Sequence, residues 1–319
     1  MALYPELTPF RTGHLKLTDG HSMYYEESGN PQETPVVYLH GGPGNGLSSK
    51  HRRYTDPKTT HIITYDQRGC GQSKPLHSLK ANTTQHLVED LERLRKHLKL
   101  ESWFVAGFSW GATLALAYAE AYPQRVRGLV VGGVYLGTKR ETAWLTHPDG
   151  VARFFPNDYA AVMEALDYPK PADVSNALLS IFKNGTKREK EQAAYAWCQL
   201  EAAACEAKLN RKELVKELEE DREILPALAL LEAHYFANDC FLKPGQLLNN
   251  IYKIAHIPLH IVQGAADMVC PPETAIALHA AHPNSRLYWV EGGGHRANPP
   301  LLRARMNAIK DMLKAVKRL

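Results

Sequence analysis

The stretch that most constrains this chain is Val105-Ala106-Gly107-Phe108-Ser109-Trp110-Gly111-Ala112, which runs on into an alanine- and leucine-rich segment ending at Ala121. Trp103-Phe104-Val105 has the aromatic and β-branched character of a buried strand, whereas Ala112 to Ala121 is built of good helix formers. Between them, Gly107-Phe108-Ser109-Trp110-Gly111 has the spacing G-x-S-x-G. That spacing predicts a sharp strand-to-helix turn with the serine hydroxyl exposed at its apex. Such a turn brings the two backbones too close for a Cβ at either glycine. It also sets Ser109 at the positive end of a helix, where an oxyanion forming alongside is favoured.

The same alternation of strand, turn and helix recurs on both sides. Pro35-Val36-Val37-Tyr38-Leu39 reads as a buried strand that empties into His40-Gly41-Gly42-Pro43-Gly44-Asn45-Gly46. The loop lacks the G-K-[ST] of a phosphate cradle, so the better reading is an oxyanion hole, with the backbone N–H of Gly42 joining that of Trp110. A further strand, His61 to Tyr65, ends in Asp66-Gln67-Arg68-Gly69-Cys70-Gly71, whose Asp66 and Arg68 are expected to buttress loops. Thr83 to Leu94 carries Leu87, Leu91 and Leu94 at helical spacing, and Gly128-Leu129-Val130-Val131 is another strand. Near the N-terminus, Gly13 to Leu17 and Ser22 to Glu26 alternate around Asp19-Gly20 as an antiparallel edge hairpin.

From about Gly137 to Asn250 strand-like runs vanish. Ala160 to Leu166, Lys187 to Leu209 and Leu225 to Phe236 have helical spacing, with a charged stretch, Arg211 to Glu223, between the last two. The alternation resumes at Pro258 to Gln263, followed by Asp267, a helix (Glu273 to Ala281), a strand (Arg286 to Val290), His295 and a final amphipathic helix (Leu301 to Val316). These patterns predict an α/β fold, a mostly parallel sheet with helices on both faces. Residues 1–136 and 251–319 form its core domain, and 137–250 form an inserted helical cap over the site.

Bulk properties exclude several function classes. With 38 basic and 34 acidic residues and only short, separated basic runs, the chain has no continuous track for nucleic acid. The five cysteines, Cys70, Cys198, Cys205, Cys240 and Cys270, are odd in number and contain no C-x-x-C, so neither a disulfide framework nor a zinc site is expected. His256 and His260 are four apart, but Pro258 between them spoils the helix that would face them together, and no metal or cofactor is expected. Ser102 to Ala119 is uncharged yet broken at the turn, and the first residues lack a secretory signal. A soluble, cytoplasmic protein without membrane partners is the expectation.

Ser109, Asp267 and His295 each stand just past the end of a predicted strand. Serine is a poor nucleophile at its own pKa, so His295 would take its proton during attack and return it to the leaving group. Asp267 would fix the histidine tautomer and stabilise the imidazolium. The chain order Ser, Asp, His is that of the α/β-hydrolases.

His40-Gly41-Gly42-Pro43-Gly44, Asp66-Gln67-Arg68-Gly69-Cys70-Gly71, Gly107-Phe108-Ser109-Trp110-Gly111, Asp267-Met268-Val269-Cys270-Pro271 and Gly294-His295 together resemble the proline iminopeptidases (prolyl aminopeptidases) of the α/β-hydrolase superfamily. The resemblance implies release of N-terminal proline from peptides with a free N-terminus, recognised by acidic cap residues. The family's W-x-x-W-E is similar to Trp197-Cys198-Gln199-Leu200-Glu201, with Leu200 for the second tryptophan. Its R-I-E-x-H-Y-F is similar to Leu230-Leu231-Glu232-Ala233-His234-Tyr235-Phe236, with Leu230 for the arginine, and Gly132 stands where a further arginine is usual. The implied substrate-binding residues are Glu201, Glu232, Trp197, Tyr235 and Phe236. Carboxylates among aromatic rings suit an ammonium attached to an apolar ring. Two alternatives stay open at this point: an esterase or amidase of the same fold with a different acyl specificity, and a non-catalytic ligand-binding protein. Cys270, three residues after Asp267, is expected beside the pocket and open to a bulky thiol reagent.

Overall fold

The computed structural model describes residues 3–316. Eight strands form one sheet: β1 (Arg11–Lys16), β2 (Ser22–Gly29), β3 (Thr34–Leu39), β4 (Thr60–Tyr65), β5 (Trp103–Phe108), β6 (Val126–Gly132), β7 (Leu259–Gly264) and β8 (Arg286–Val290). Their spatial order is β1-β2-β4-β3-β5-β6-β7-β8. The pairs β1·β2 and β2·β4 are antiparallel and all later pairs are parallel. The N-terminal hairpin is therefore continuous with the sheet, because β2 extends to Gly29 and pairs with β4 along its other edge.

Helices cover both faces, which is why the central strands are apolar on successive residues instead of alternate ones. Val37, Leu39, Ile63, Val105, Leu129, Val131 and Ile261 belong to the cluster packed by α1 (Thr84–His97), α2 (Trp110–Ala121) and α10 (Pro272–Ala281). Val36, Tyr38, Ile62, Phe104, Ala106, Val130 and Val262 point the other way, against Met306, Ile309 and Met312 of α11 (Pro299–Val316). Thr83 caps α1 by accepting from the His86 N–H.

Between β6 and β7 the chain forms only helices: α3 (Lys139–Thr146), α4 (Pro156–Ala165), α5 (Val174–Asn184), α6 (Lys187–Cys205), α7 (Arg211–Glu220), α8 (Leu225–Phe236) and α9 (Gln246–Asn249), with short 3-10 turns. Thr138 with Glu141 and Thr186 with Glu189 form capping boxes that start α3 and α6. The charged stretch after Leu209 is itself a helix, α7, since Asn210 caps it and Leu214 and Leu218, one turn apart, are buried. No helix of the described residues is long and apolar enough to cross a membrane.

The structure's most buried helix is α2, in which every residue from Trp110 to Ala119 is buried. Leu114→Ala should therefore leave a cavity that the surrounding helix and sheet cannot close. A loss of about 2–5 kcal/mol is expected, read as a lower denaturant midpoint with an unchanged slope.

Candidate active site

At the end of β5 the chain turns through Ser109, whose φ of 58° and ψ of −129° lie outside the regions a serine ordinarily adopts. The flanking glycines make the turn possible. A Cβ on Gly107 would stand 2.1 Å from the Gly111 carbonyl oxygen, and one on Gly111 would stand 2.4 Å from the Leu39 carbonyl oxygen. The turn is held by the Ser109 N–H donating to Gly132 O (2.9 Å) and the Ala112 N–H donating to Ser109 O (2.8 Å). Among the described residues the Ser109 hydroxyl has no hydrogen-bond partner.

The loop after β3 lies directly against this turn: a Cβ on Gly41 would be 3.6 Å from Ser109 Cβ. Buried His40 orders the loop. Its Nδ1 is 2.9 Å from Gly41 O and its Nε2 is 3.0 Å from the Gln67 N–H, so Nδ1 carries the proton and Nε2 accepts. Burial pushes the His40 pKa down, in keeping with a neutral ring. The Gln67 side chain donates to His40 O (2.9 Å) and accepts from the Trp110 indole (2.9 Å), and so ties the glycine loop to the first residue of α2. Trp110 N–H, at the start of a helix, has no intrahelical acceptor. Gly42 N–H makes no hydrogen bond within the described residues.

Asp66 and Arg68 hold the neighbouring loops. Asp66 accepts from the N–H groups of Leu47 (2.6 Å) and Gln72 (2.7 Å), and Arg68 forms a buried two-point pair with Asp90 (2.5 and 2.7 Å). His40, Asp66 and Cys70 bring three ligand-type atoms within 4.8 Å of one another. Those of His40 and Asp66 already accept backbone N–H groups, and burial keeps the Cys70 thiol protonated, so the group reads as scaffold. His260 likewise turns toward the Ala308 carbonyl.

Asp267 follows β7 and His295 follows β8. The His295 Nδ1 lies 2.8 Å from Asp267 Oδ2. Asp267 is buried, and its other oxygen accepts from the N–H groups of Val269 (3.0 Å) and Cys270 (2.8 Å), so the carboxylate is fixed before it meets the imidazole. With Nδ1 turned to the carboxylate, the Nε2 edge is left for a proton from a nucleophile. A Cβ on Gly133 would lie 3.0 Å from His295 Cε1, while the preceding Gly132 carbonyl takes the Ser109 N–H, so the Gly132-Gly133 pair touches both the serine turn and the imidazole.

One supporting residue, Gln263, was not singled out from sequence. Fully buried at the end of β7, it accepts from the Val134 N–H (3.1 Å) and donates to Cys270 O (3.1 Å), with Asp267 Oδ2 at 3.4 Å. A glutamine directly after the apolar Ile261-Val262 of a buried strand is the signal that marks it.

Two carboxyl groups overhang the site from the helices between β6 and β7. Glu201 on α6 and Glu232 on α8 are hydrogen bonded to each other, and the Trp197 indole N–H donates to Glu232 Oε2 (2.7 Å). Burial, and then the charge of Glu201, push the Glu232 carboxyl well above its ordinary value. Burial also raises Glu201, opposed by the hydrogen bond from Glu232 and by nearby His295. Both carboxyls therefore hold protons more tightly than ordinary glutamates, and among the described residues no lysine or arginine forms an ion pair with either. Phe236 packs edge-on to Trp197, with ring centroids 6.2 Å apart. Tyr235 lies deeper: its ring is 4.5 Å from that of Trp110 and its hydroxyl donates to Asn82, so it fastens α8 to the serine turn. Of the positions that depart from the resemblance, Leu200 is buried in the helical core, and Gly132 is closed by Val262 O, 2.4 Å from where a Cβ would be.

A family model of the alpha/beta hydrolase fold matches residues 34–299. The proline iminopeptidase of Neisseria meningitidis serogroup A is 39% identical over 312 residues, 98% of this chain and 99% of that protein. The chain belongs to the proline iminopeptidase family of α/β hydrolases. The Arabidopsis thaliana proline iminopeptidase is similarly 39% identical over 316 residues, covering 98% of this chain and 82% of its own. Among solved structures, a proline iminopeptidase-related protein from Thermus thermophilus superposes with a TM-score of 0.63 at 21% identity over 96% of this chain and 98% of that one. An esterase from Exiguobacterium antarcticum reaches 0.64 at 22% identity over 96% and 100%. Both share the fold.

The position of Cys270 corrects one expectation. It adjoins Asp267 as the sequence implies, but its side chain is buried, and burial pushes the thiol well above its ordinary pKa. The thiolate is the reactive form. A bulky maleimide at neutral pH should leave Cys270 of the native protein unmodified and label it after denaturation, as read by peptide mass spectrometry.

Proposed function

We propose that this member of the proline iminopeptidase family is a serine aminopeptidase that releases N-terminal proline through a Ser109–His295–Asp267 acyl-enzyme mechanism. The observation that carries the reading is the Glu201–Glu232 pair: two carboxyls, Glu232 buried and Glu201 partly buried, stand without a basic partner and call for a cation, which a peptide's free amino terminus supplies. Amine capture at a fixed distance from Ser109 selects the first peptide bond. Trp197 on α6 and Phe236 on α8 offer aromatic faces to the pyrrolidine ring, and Tyr235 holds α8 in place.

Ser109 Oγ attacks the prolyl carbonyl carbon while His295 Nε2 takes the hydroxyl proton. The oxygen that becomes negative accepts from the Gly42 and Trp110 N–H groups, neither of which has another partner to give up. The intermediate collapses as His295 returns the proton to the departing amine, leaving prolyl-Ser109 ester. Water, deprotonated by His295, attacks the ester, and proline leaves with Ser109 restored. Asp267 keeps the proton on Nδ1 throughout.

Residues 1–136 and 251–319 serve in this reading as the catalytic core, with 137–250 as a cap that supplies the amine anchor. The substrates are peptides with a free N-terminus. A reducing, cytoplasmic setting is supported by five free cysteines, four of them buried.

Ser109→Ala should abolish turnover without unfolding the chain, a loss on the order of 10⁴ to 10⁶ in kcat. A variant retaining a tenth of the activity would refute the nucleophile. Glu201→Gln or Glu232→Gln removes charge from the anchor. A loss of roughly 2–5 kcal/mol, or about 30- to several-thousand-fold in kcat/KM, is expected on a proline arylamide, with a neutral aryl ester changed only slightly.

The raised carboxyls also predict a pH signature. Because the Glu201 carboxyl is raised above an ordinary glutamate, the pair loses its charge as pH falls earlier than an ordinary glutamate would. KM for the arylamide should rise on that acid side and KM for the ester should not. Glu201→Gln should erase the difference, and parallel KM profiles in the unsubstituted enzyme would count against the anchor.

A further inference from the structure

The loop that carries His295 is attached to the cap as well as to the core. The backbone N–H groups of His295 and Arg296 both donate to Cys205 O, each at 2.9 Å. Cys205 is the last residue of α6, so its carbonyl has no partner within the helix, and the loop of the catalytic histidine fills that vacancy. Gly294 permits the approach, since a Cβ there would stand 2.7 Å from Cys205 O and 2.6 Å from Ala207 N. Arg296 then reaches across two cap segments. Its Nε is 2.5 Å from Glu206, just past α6, and its Nη1 is 2.6 Å from Glu217 on α7.

We propose that Arg296 is a positioning residue for the reaction: with Glu206 and Glu217 it clamps the His295 loop to the cap, so that the general base is aligned through the helix that presents Glu201. Glu201 precedes Cys205 by four residues, about one turn of α6. A displacement of that turn moves the amine anchor and the histidine loop together. On its other side the loop is held by the His295–Asp267 hydrogen bond and by Arg305, whose Nη2 donates to His295 O at 3.3 Å. The core contacts set the tautomer of the imidazole, and the cap contacts set how far the loop can swing. Arg296 is about half exposed, and single ion pairs at such positions add little to stability. Its two-carboxylate fork fixes geometry, and a misplacement of about 1 Å at a reacting group can cost on the order of 100-fold in rate.

This inference rests on the Ser109–His295–Asp267 reading, and its signature differs from that of the anchor. Loss of the anchor discriminates between substrates; loss of the clamp misplaces a base that both substrates use. In Arg296→Ala, kcat should fall by about 10- to 100-fold on the proline arylamide and the neutral aryl ester alike, with KM within about threefold and an unchanged melting temperature. Arg296→Lys, which keeps one bridge, should recover most of the rate. The Glu206→Gln/Glu217→Gln double variant should reproduce the loss from the cap side. Hydrogen exchange supplies a readout independent of turnover: the His295 and Arg296 amides should exchange at least about tenfold faster in Arg296→Ala. A kcat within about twofold of the unsubstituted enzyme in either Arg296→Ala or the double variant would overturn the clamp. So would a defect confined to arylamide KM, a lysine variant as impaired as the alanine one, or unchanged amide exchange. Failure of the catalytic reading is recognised separately, by Ser109→Ala retaining activity.

Discussion

Three backbone segments meet at the serine turn more closely than any side chain would allow. The Gly107 Cα faces the Gly111 carbonyl and the Gly111 Cα faces the Leu39 carbonyl, so β5, α2 and the end of β3 are locked together by contact. From that contact follow the unusual backbone of Ser109, the free N–H at the head of α2 and the placement of Gly42 beside it. Holding a serine in such a conformation costs on the order of 1–3 kcal/mol. Burial of α2 from Trp110 to Ala119 against the sheet more than offsets it. The strain is concentrated where the chemistry needs an exposed hydroxyl, and the stability comes from the helix behind it.

The molecule handles its buried acids in three ways. Asp66 and Asp267 are held by backbone N–H groups, and Asp90 is held by the guanidinium of Arg68. Glu201 and Glu232 have only each other and an indole N–H. Holding two carboxyl groups together in a largely buried site raises their affinity for protons, and any charge they keep is best met by a cation. A site of that kind is poorly suited to a neutral ester and well suited to a protonated amine. On the proposed reading, it gives a hydrolase turn shared by many folds of this type a preference for chain ends.

Much of this was legible in the sequence because it is written in local patterns. The glycine spacing around Ser109, the continuous apolar runs of the central strands and the polar turns that follow them each reflect geometry within a few residues. The helical stretch between β6 and β7 was harder. Its helix α5 was passed over although Val174, Leu178, Leu179 and Phe182 recur at helical spacing, and α7 was hidden by charge because only Leu214 and Leu218 face inward. Long-range connections left no local trace at all. The Gln67 bridge from His40 to Trp110, the Gln263 support beneath Asp267 and the attachment of the His295 loop to Cys205 join residues 27 to 129 positions apart, and each depends on tertiary placement. Cys270 shows the converse: its position was readable, but its inaccessibility follows from packing that sequence spacing does not encode.

The central claim is that a free, protonated amine directs this hydrolase to the first peptide bond of its substrate. The most direct measurement compares kcat/KM across a panel of aminoacyl arylamides with proline arylamide and its N-acetyl derivative. The account predicts that proline arylamide is cleaved fastest, and that acetylation, which removes the charge and adds bulk at the proposed amine anchor, abolishes cleavage. Comparable rates on the free and acetylated substrates would contradict it.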